Sequence, residues 1–235
     1  MPPIKALVFD VFGTLVDWRT SIARESEIAL SPLGISIDWF GFADAWRDQY
    51  QPAMDEVRSG KIPYSKLDRL HRRNLDVILS KFGCDHVDEA TRFHLNLAWH
   101  RLDAWPDVAP GLNALREKHL LAPCSNGNIS LMVDLARRNG FHWDAILGAE
   151  VARDYKPKPV VYLTAVDAFD LEPAQTMMVA AHSSDLAAAT AVGLRTAFVE
   201  RPNEFGPNKG ERTPTVVVDI SVSSILELAN ALANN

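Results

Sequence analysis

Near its start the chain runs Ile4-Lys5-Ala6-Leu7-Val8-Phe9 and passes directly into Asp10-Val11-Phe12-Gly13-Thr14-Leu15. A short, almost unbroken apolar run suits a strand covered on both faces, because a strand with one wet face alternates apolar and polar residues. Strands of that kind belong to parallel sheets, and open α/β sheets bind ligands in the crevice beyond the carboxyl ends of their strands. A parallel sheet therefore puts the carboxylate of Asp10 in that crevice. Asp and Gly are also ordinary turn residues, so this segment alone does not separate a reactive carboxylate from a turn. Polar groups at three later strand ends tip the balance.

The 235 residues suffice for one or two cores, and 47% hydrophobic with 23% charged residues describes a soluble globular chain. A formal charge of -6, with no sustained basic run beyond the cluster at 69–73, argues against a nucleic-acid partner. Two cysteines, Cys84 and Cys124, do not make a disulfide scaffold and suit a reducing compartment. The sequence has neither the pattern of a signal peptide nor an apolar stretch long enough for a membrane span. A cytoplasmic protein without a membrane partner is the expectation.

From Asp17 to about Arg101 the texture is helical and rich in Trp, Tyr and Phe. Helices are expected over 19–30, 40–57 (limited or kinked by Pro52), 67–79 and 89–102. After Trp105-Pro106 the rhythm becomes strand–helix–strand. Strands are expected at 120–124, 145–147, 176–180, 196–199 and 216–218, with helices at 110–118, 129–139, 160–169, from 182, and 225–232. A surface loop rich in Gly, Pro and charge fills 200–214. The expected fold is α/β: a Rossmann-like core with a mostly parallel sheet, built from residues 1–16 and 102–235, and a helical cap inserted over 17–101.

Four strand ends then present Asp10 with Thr14, Ser125 with Asn126, Lys156, and His182 with Asp185. Each has an ordinary reading: a turn, a surface lysine, a carboxylate at a helix N-terminus. Their order and spacing decide otherwise. The histidines lack zinc-site spacing, and Ser125 lacks the G-x-S-x-G turn of a Ser-His-Asp hydrolase.

In that order and spacing the chain resembles the haloacid dehalogenase superfamily, and within it the type II L-2-haloacid dehalogenases. Asp10-Val11-Phe12-Gly13-Thr14-Leu15 is similar to the nucleophile motif, Ser125-Asn126-Gly127 to the second, Lys156-Pro157 with Tyr162 to the third, and Asp185 to the carboxylate of the fourth. Phosphatases of the superfamily carry an acid two positions after the nucleophile and hold Mg²⁺ with a pair of aspartates. Here those positions are Phe12 and, for the first of the pair, Ala181. Mg²⁺ demands a nearly complete oxygen shell. No metal or other cofactor is expected.

The resemblance implies hydrolysis of short L-2-haloalkanoic acids to D-2-hydroxy acids through an ester on Asp10. It assigns Thr14 to orienting Asp10, Lys156 to keeping it ionised, and Asp185 to the hydrolytic water. Ser125 and the backbone at Val11 and Phe12 are expected to hold the substrate carboxylate, and Asn126 to face the halide. A cap arginine is also implied. Arg47 is the first choice, with Arg58 and Arg19 as competitors. Phe12, Trp39, Phe40 and Trp46 are read either as an apolar substrate wall or as the ordinary seam between cap and core. His182 stands where better-known members have asparagine, and is read as a donor, a base or a helix cap. The rival functions are a phosphate-ester hydrolase of the same superfamily and a silent binding protein on its scaffold. A homodimer through an exposed aromatic face is left open.

Overall fold

The computed structural model describes residues 2–233. In chain order, β1 (Ala6–Phe9) is followed by β2 (Val16–Asp17), α1 (Trp18–Leu30), α2 (Trp39–Asp48), α3 (Tyr50–Arg58), α4 (Leu67–Lys81), α5 (Glu89–Asn96) and a 3₁₀ segment, Leu97–Arg101. Then come β3 (Asp103–Ala104), α6 (Val108–Leu115), β4 (Leu120–Ser125), α7 (Ile129–Asn139), β5 (Leu147–Gly148) and α8 (Ala149–Ala152). The chain finishes with α9 (Pro159–Asp167), β6 (Thr176–Ala180), α10 (Ser183–Ala191), β7 (Arg195–Val199), β8 (Ile220–Val222) and α11 (Ile225–Ala233).

Six strands form one sheet in the order β5-β4-β1-β6-β7-β8, every neighbouring pair parallel. β1 is fully buried, and its side chains divide between two clusters. Leu7 and Phe9 enter the cluster shared with α6, α7, α11 and the helical insert, while Val8 enters the one shared with α9 and α10. That two-sided burial is why the strand carries no alternation. Each of these three side chains contributes roughly 1.5–3 kcal/mol by leaving water.

β1 lies between β4 and β6, so the chain passes out to one side of it through β4 and β5 before returning to build the other side. The carboxyl end of β1 is thus the switch point of the sheet, where crossovers splay apart and leave a crevice. The helical insert leaves the core at β2 and re-enters at β3, and these two short strands pair antiparallel, Val16 with Ala104 and Asp17 with Asp103. Asp17 also caps α1, its carboxylate accepting from Thr20 N at 3.0 Å. At the far end of α7, Gly140 adopts the left-handed conformation that stops a helix (φ 69°).

Three expectations need correction. The helix expected over 40–57 is two helices, broken at Gln49 and not at Pro52, which sits in the first turn of α3 where a missing N–H costs little. The last strand is Ile220–Val222, paired with β7 from Ala197 to Val199, and not Val216–Val218. The loop over 200–214 is also no mere surface loop, because Arg201 and Glu204 within it are buried. Among the described residues no helix is long and apolar enough to cross a membrane.

Candidate active site

Asp10 follows β1 directly and is 7% exposed. The turn after it closes on itself: Gly13 N donates to Val16 O, and Leu15 N and Val16 N both donate to Val11 O. That curl returns Thr14 to Asp10, and its hydroxyl donates to Asp10 Oδ2 at 2.7 Å. Ala181 N donates to the same Thr14 oxygen at 2.9 Å, which leaves the hydroxyl hydrogen for Asp10. Lys156, from the loop before α9, places Nζ 2.9 Å from Asp10 Oδ1 and 2.5 Å from Asp185 Oδ2. Tyr162 on α9 donates its hydroxyl to Asp185 Oδ1 at 2.5 Å. One ammonium is therefore shared by two carboxylates from different strand ends.

His182 at the end of β6 completes the arrangement, with Nδ1 3.1 Å from Asp10 Oδ2 and Nε2 2.9 Å from Glu204 Oε2. Burial raises a carboxyl's pKa, but the Lys156 ammonium, with His182 adding hydrogen bonding and charge, more than reverses this and holds Asp10 far below the usual range. Burial would likewise lower Lys156, yet Asp10 and Asp185 raise it well above its ordinary value. For His182 desolvation is outweighed by the charge of Glu204 and by hydrogen bonds to Asp10 and Glu204, which push it up to about 10. Asp10 is ionised and its neighbours are cations.

Above these groups lies a cavity of about 1200 Å³, lined by Asp10, Asn126, Lys156, Tyr162, His182 and Asp185 from the core. From the helical side it receives Arg47 and Tyr50, with Phe12 between the two walls. The Arg47 guanidinium lies over the Tyr50 ring at 4.0 Å, with Trp18 at 5.3 Å and Phe12 at 5.8 Å. Its Nη1 is buried without a hydrogen-bond partner among the described residues. Arg19 is committed to Asp44 at 2.6 and 2.7 Å, and Arg58 to Asp55, Gln51 and the carbonyl of Lys156. Of the three arginines, Arg47 alone combines a place in the cavity lining with a buried nitrogen that has no hydrogen-bond partner among the described residues.

Several sequence-predicted residues lie elsewhere. Trp46 does not line the cavity: its indole Nε1 donates to His71 O at 3.0 Å and its ring packs on Trp99. Trp39 and Phe40 are also outside the lining, with Phe40 under the Arg19 guanidinium. Ser125 is fully buried, and its Oγ accepts from Gly127 N at 3.0 Å, closing its own turn. Asn126 does line the cavity, but its Oδ1 accepts from Lys156 N at 2.8 Å, so it also fixes the lysine loop. Val11 is buried next to Asp10 in the chain and lies outside the cavity lining.

Residues 4–193 match the model of a hydrolase family, the haloacid dehalogenase-like hydrolases. The chain belongs to that family. It is 30% identical over 212 residues to (S)-2-haloacid dehalogenase 1 of Pseudomonas sp. (strain CBS-3), covering 87% of this chain and 88% of that protein. The crystal structure of a defluorinating L-2-haloacid dehalogenase superposes with a TM-score of 0.95 at 43% identity, covering 98% of this chain and 95% of that one. A second L-2-haloacid dehalogenase structure gives the same score and identity over 99% and 100%.

Family phosphatases use Mg²⁺, and the residues here do not suit it. Phe12 and Ala181 occupy two of the positions that would help hold and use the ion, and the remaining carboxylates, Asp10 and Asp185, already share Lys156. Among the described residues no three His, Cys, Asp or Glu side chains are gathered as a metal site. Glu204, bonded to His182, is the member of the buried network that sequence reasoning missed. Its only local signal was a carboxylate three residues after Arg201, in a loop whose composition reads as solvent-exposed.

Proposed function

We propose that this family member is an L-2-haloacid dehalogenase that hydrolyses short L-2-haloalkanoic acids to D-2-hydroxy acids without a metal ion. The observation that carries the reading is the pairing of two unlike walls. One holds an ionised Asp10 against Lys156, and the other presents Arg47 with an unpartnered Nη1 among aromatic rings. A carboxylate nucleophile and an open anion site facing one another suit displacement of a halide from saturated carbon.

In this reading Asp10 attacks C2 from the side opposite the halogen. The C–X pair leaves with the halide toward Arg47 and Asn126, and an ester forms on Asp10. The N–H groups of Val11 and Phe12 take no part in the hydrogen bonds that close the turn, and they are assigned to the substrate carboxylate. Water then attacks the ester carbonyl, giving up a proton to Asp185, and the hydroxy acid departs with an oxygen from Asp10. A halide needs no proton to leave, so Phe12 in the place of a general acid costs this reaction nothing. Phe12 and Tyr50 in the cavity wall strip water from the nucleophile and favour small alkanoates.

The test is halide release from fluoro-, chloro- and bromoacetate and from both 2-chloropropionate enantiomers, with and without EDTA. Release from the L enantiomer alone, unaffected by EDTA, is expected. One turnover in ¹⁸O water should give unlabelled product oxygen and a label on Asp10, and Asp10→Asn should release no halide. Phosphate release from phosphate esters that depends on magnesium, with no halide release, would overturn the reading.

A further inference from the structure

The two oxygens of Asp10 are not equivalent. Each oxygen of an ionised carboxylate offers about two lone-pair positions to donors. Among the described residues Oδ2 receives Thr14 Oγ1 at 2.7 Å and His182 Nδ1 at 3.1 Å, whereas Oδ1 receives Lys156 Nζ alone at 2.9 Å. One oxygen is fully occupied and the other keeps a free pair. His182 meets a carboxylate at each ring nitrogen, Asp10 on one side and Glu204 on the other. Ionised carboxylates only accept, so both nitrogens must carry hydrogen and the ring is an imidazolium.

Glu204 is built into this position. It is 1% exposed, and its other oxygen, Oε1, accepts from Trp18 Nε1 at 3.1 Å. Its loop is pinned to the nucleophile turn by Arg201, whose Nε donates to Thr14 O at 2.8 Å while its two terminal nitrogens grip Asp107 at 2.9 Å. Gly13 makes the room: a Cβ there would sit 2.0 Å from Glu204 Oε1. A glycine that the turn already requires at φ 86° thus also admits a buried carboxylate against the backbone of the nucleophile loop.

Resting on the dehalogenase reading, we propose that Glu204 is a positioning residue that holds His182 as an N–H donor on Asp10 Oδ2, making that oxygen the oxyanion of ester hydrolysis while Oδ1 is the atom that attacks carbon. Oδ1 forms the bond to C2 as the C–X pair departs. Water oxygen then bonds to Cγ, and the carbonyl pair moves onto Oδ2, where Thr14 and His182 already donate. Water's proton goes to Asp185. Collapse re-forms the Cγ–Oδ2 double bond and breaks Cγ–Oδ1. The leaving alkoxide takes a proton from Lys156, which recovers one from Asp185, and the new carboxyl group loses its proton to solvent. His182 never accepts a proton. It acts by charge and direction, as preorganised donors to an oxyanion do.

The charged groups around His182 are Asp10 from the end of β1, Glu204 from its loop, and Lys156 and Asp185 in the same cavity, with Glu211 bonded to the adjacent Ser183 and Arg47 on the opposite wall. Esterification removes the charge of Asp10 and leaves that of Glu204, so the imidazolium persists into the step that uses it.

The experiment is a rapid-quench single turnover with chloroacetate, following the halide burst and, by intact mass, the lifetime of the ester, between about pH 6 and pH 10. In the parent protein ester decay should slow as pH rises and the imidazolium is lost. In Glu204→Gln that alkaline limb should move down by at least about one pH unit and decay at neutral pH should slow about 10²-fold, with the burst changed only a few-fold. His182→Asn, a neutral donor, should decay slowly without the alkaline limb, and it settles the matter if the Glu204 variant does not fold. Decay that quickens with pH through the same window in the parent would make His182 a base and overturn the proposal, as would an unmoved limb in Glu204→Gln. Absence of any halide burst in the parent would instead overturn the dehalogenase reading itself.

Discussion

The floor and the roof of the cavity solve opposite problems. On the floor, Asp10, Lys156, Asp185 and Glu204 are buried charges and His182 a half-buried one, each with a partner of opposite sign within 3.1 Å. On the roof, Arg47 lies among Tyr50, Trp18 and Phe12 with one nitrogen unpaired among the described residues, and nearby His71 is buried against Trp99 with neither ring nitrogen hydrogen-bonded among them. A closed network fixes Asp10 in one geometry. An open donor in an apolar setting stays in want of an anion. On the proposed mechanism, stability is tied to the floor and capture of the leaving group to the roof.

Removing a cation from each side should separate the two most sharply. Lys156→Met leaves two buried carboxylates facing one another, and one of them should take up a proton. Halide release is expected to fall by more than about 10³-fold and unfolding free energy by about 3–5 kcal/mol, with the native circular dichroism retained. Arg47→Met should cut kcat/KM for chloroacetate by about 10²-fold while leaving the denaturant midpoint unchanged or higher, because the lost cation–π contact is offset by relief of the cost of burying a cation without an ion-pair partner. Arg47→Lys should not restore activity, since a point charge does not reproduce the planar donor over the Tyr50 ring. Equal destabilisation by the two methionine variants would break the comparison.

The seam between the layers gives a pH test. His100 bridges Asp68 of α4 at 3.1 Å and Asp134 of α7 at 2.8 Å, and despite burial these bonds raise its pKa above 6.5. A group raised on folding adds stability in full below its unfolded value and loses it as pH climbs through the folded one. Denaturant titrations should therefore show the gap between parent and His100→Gln widest below pH 6.5 and closing above it. His182 adds a second loss as pH rises toward about 10. Asp10, being depressed, works the other way: its contribution is present above the usual carboxylate value and disappears only in strong acid. The smallest effect should come from His71. Burial lowers it to about 3, so it is neutral at ordinary pH. His71→Leu removes unpaired polar atoms and should raise stability by up to about 1 kcal/mol in a thermal melt.

The sheet was legible because buried strands write themselves as apolar runs: β6 begins and ends where expected, and the polar groups at the ends of β1, β4 and β6 meet at one edge. Edge strands are less clear. Residues 216–218 and 220–222 are both short and largely β-branched, and only pairing with β7 selects the second. Side-chain direction was less legible still. Trp46 and Ser125 have the right types at the right places, yet one turns into the aromatic seam and the other into its own loop. Glu204 was invisible because the signals that make it functional lie far away in sequence, at Trp18, Gly13 and His182, and nothing within 200–214 records them.

The two-strand ribbon of β2 and β3 fastens the helical insert to the core at Val16, six positions after Asp10. The joint that carries the helical wall of the cavity is therefore continuous with the turn that follows Asp10. A lineage could exchange everything hung from that joint, and with it the diet of the enzyme, while the machinery of bond breaking beneath stayed as it was.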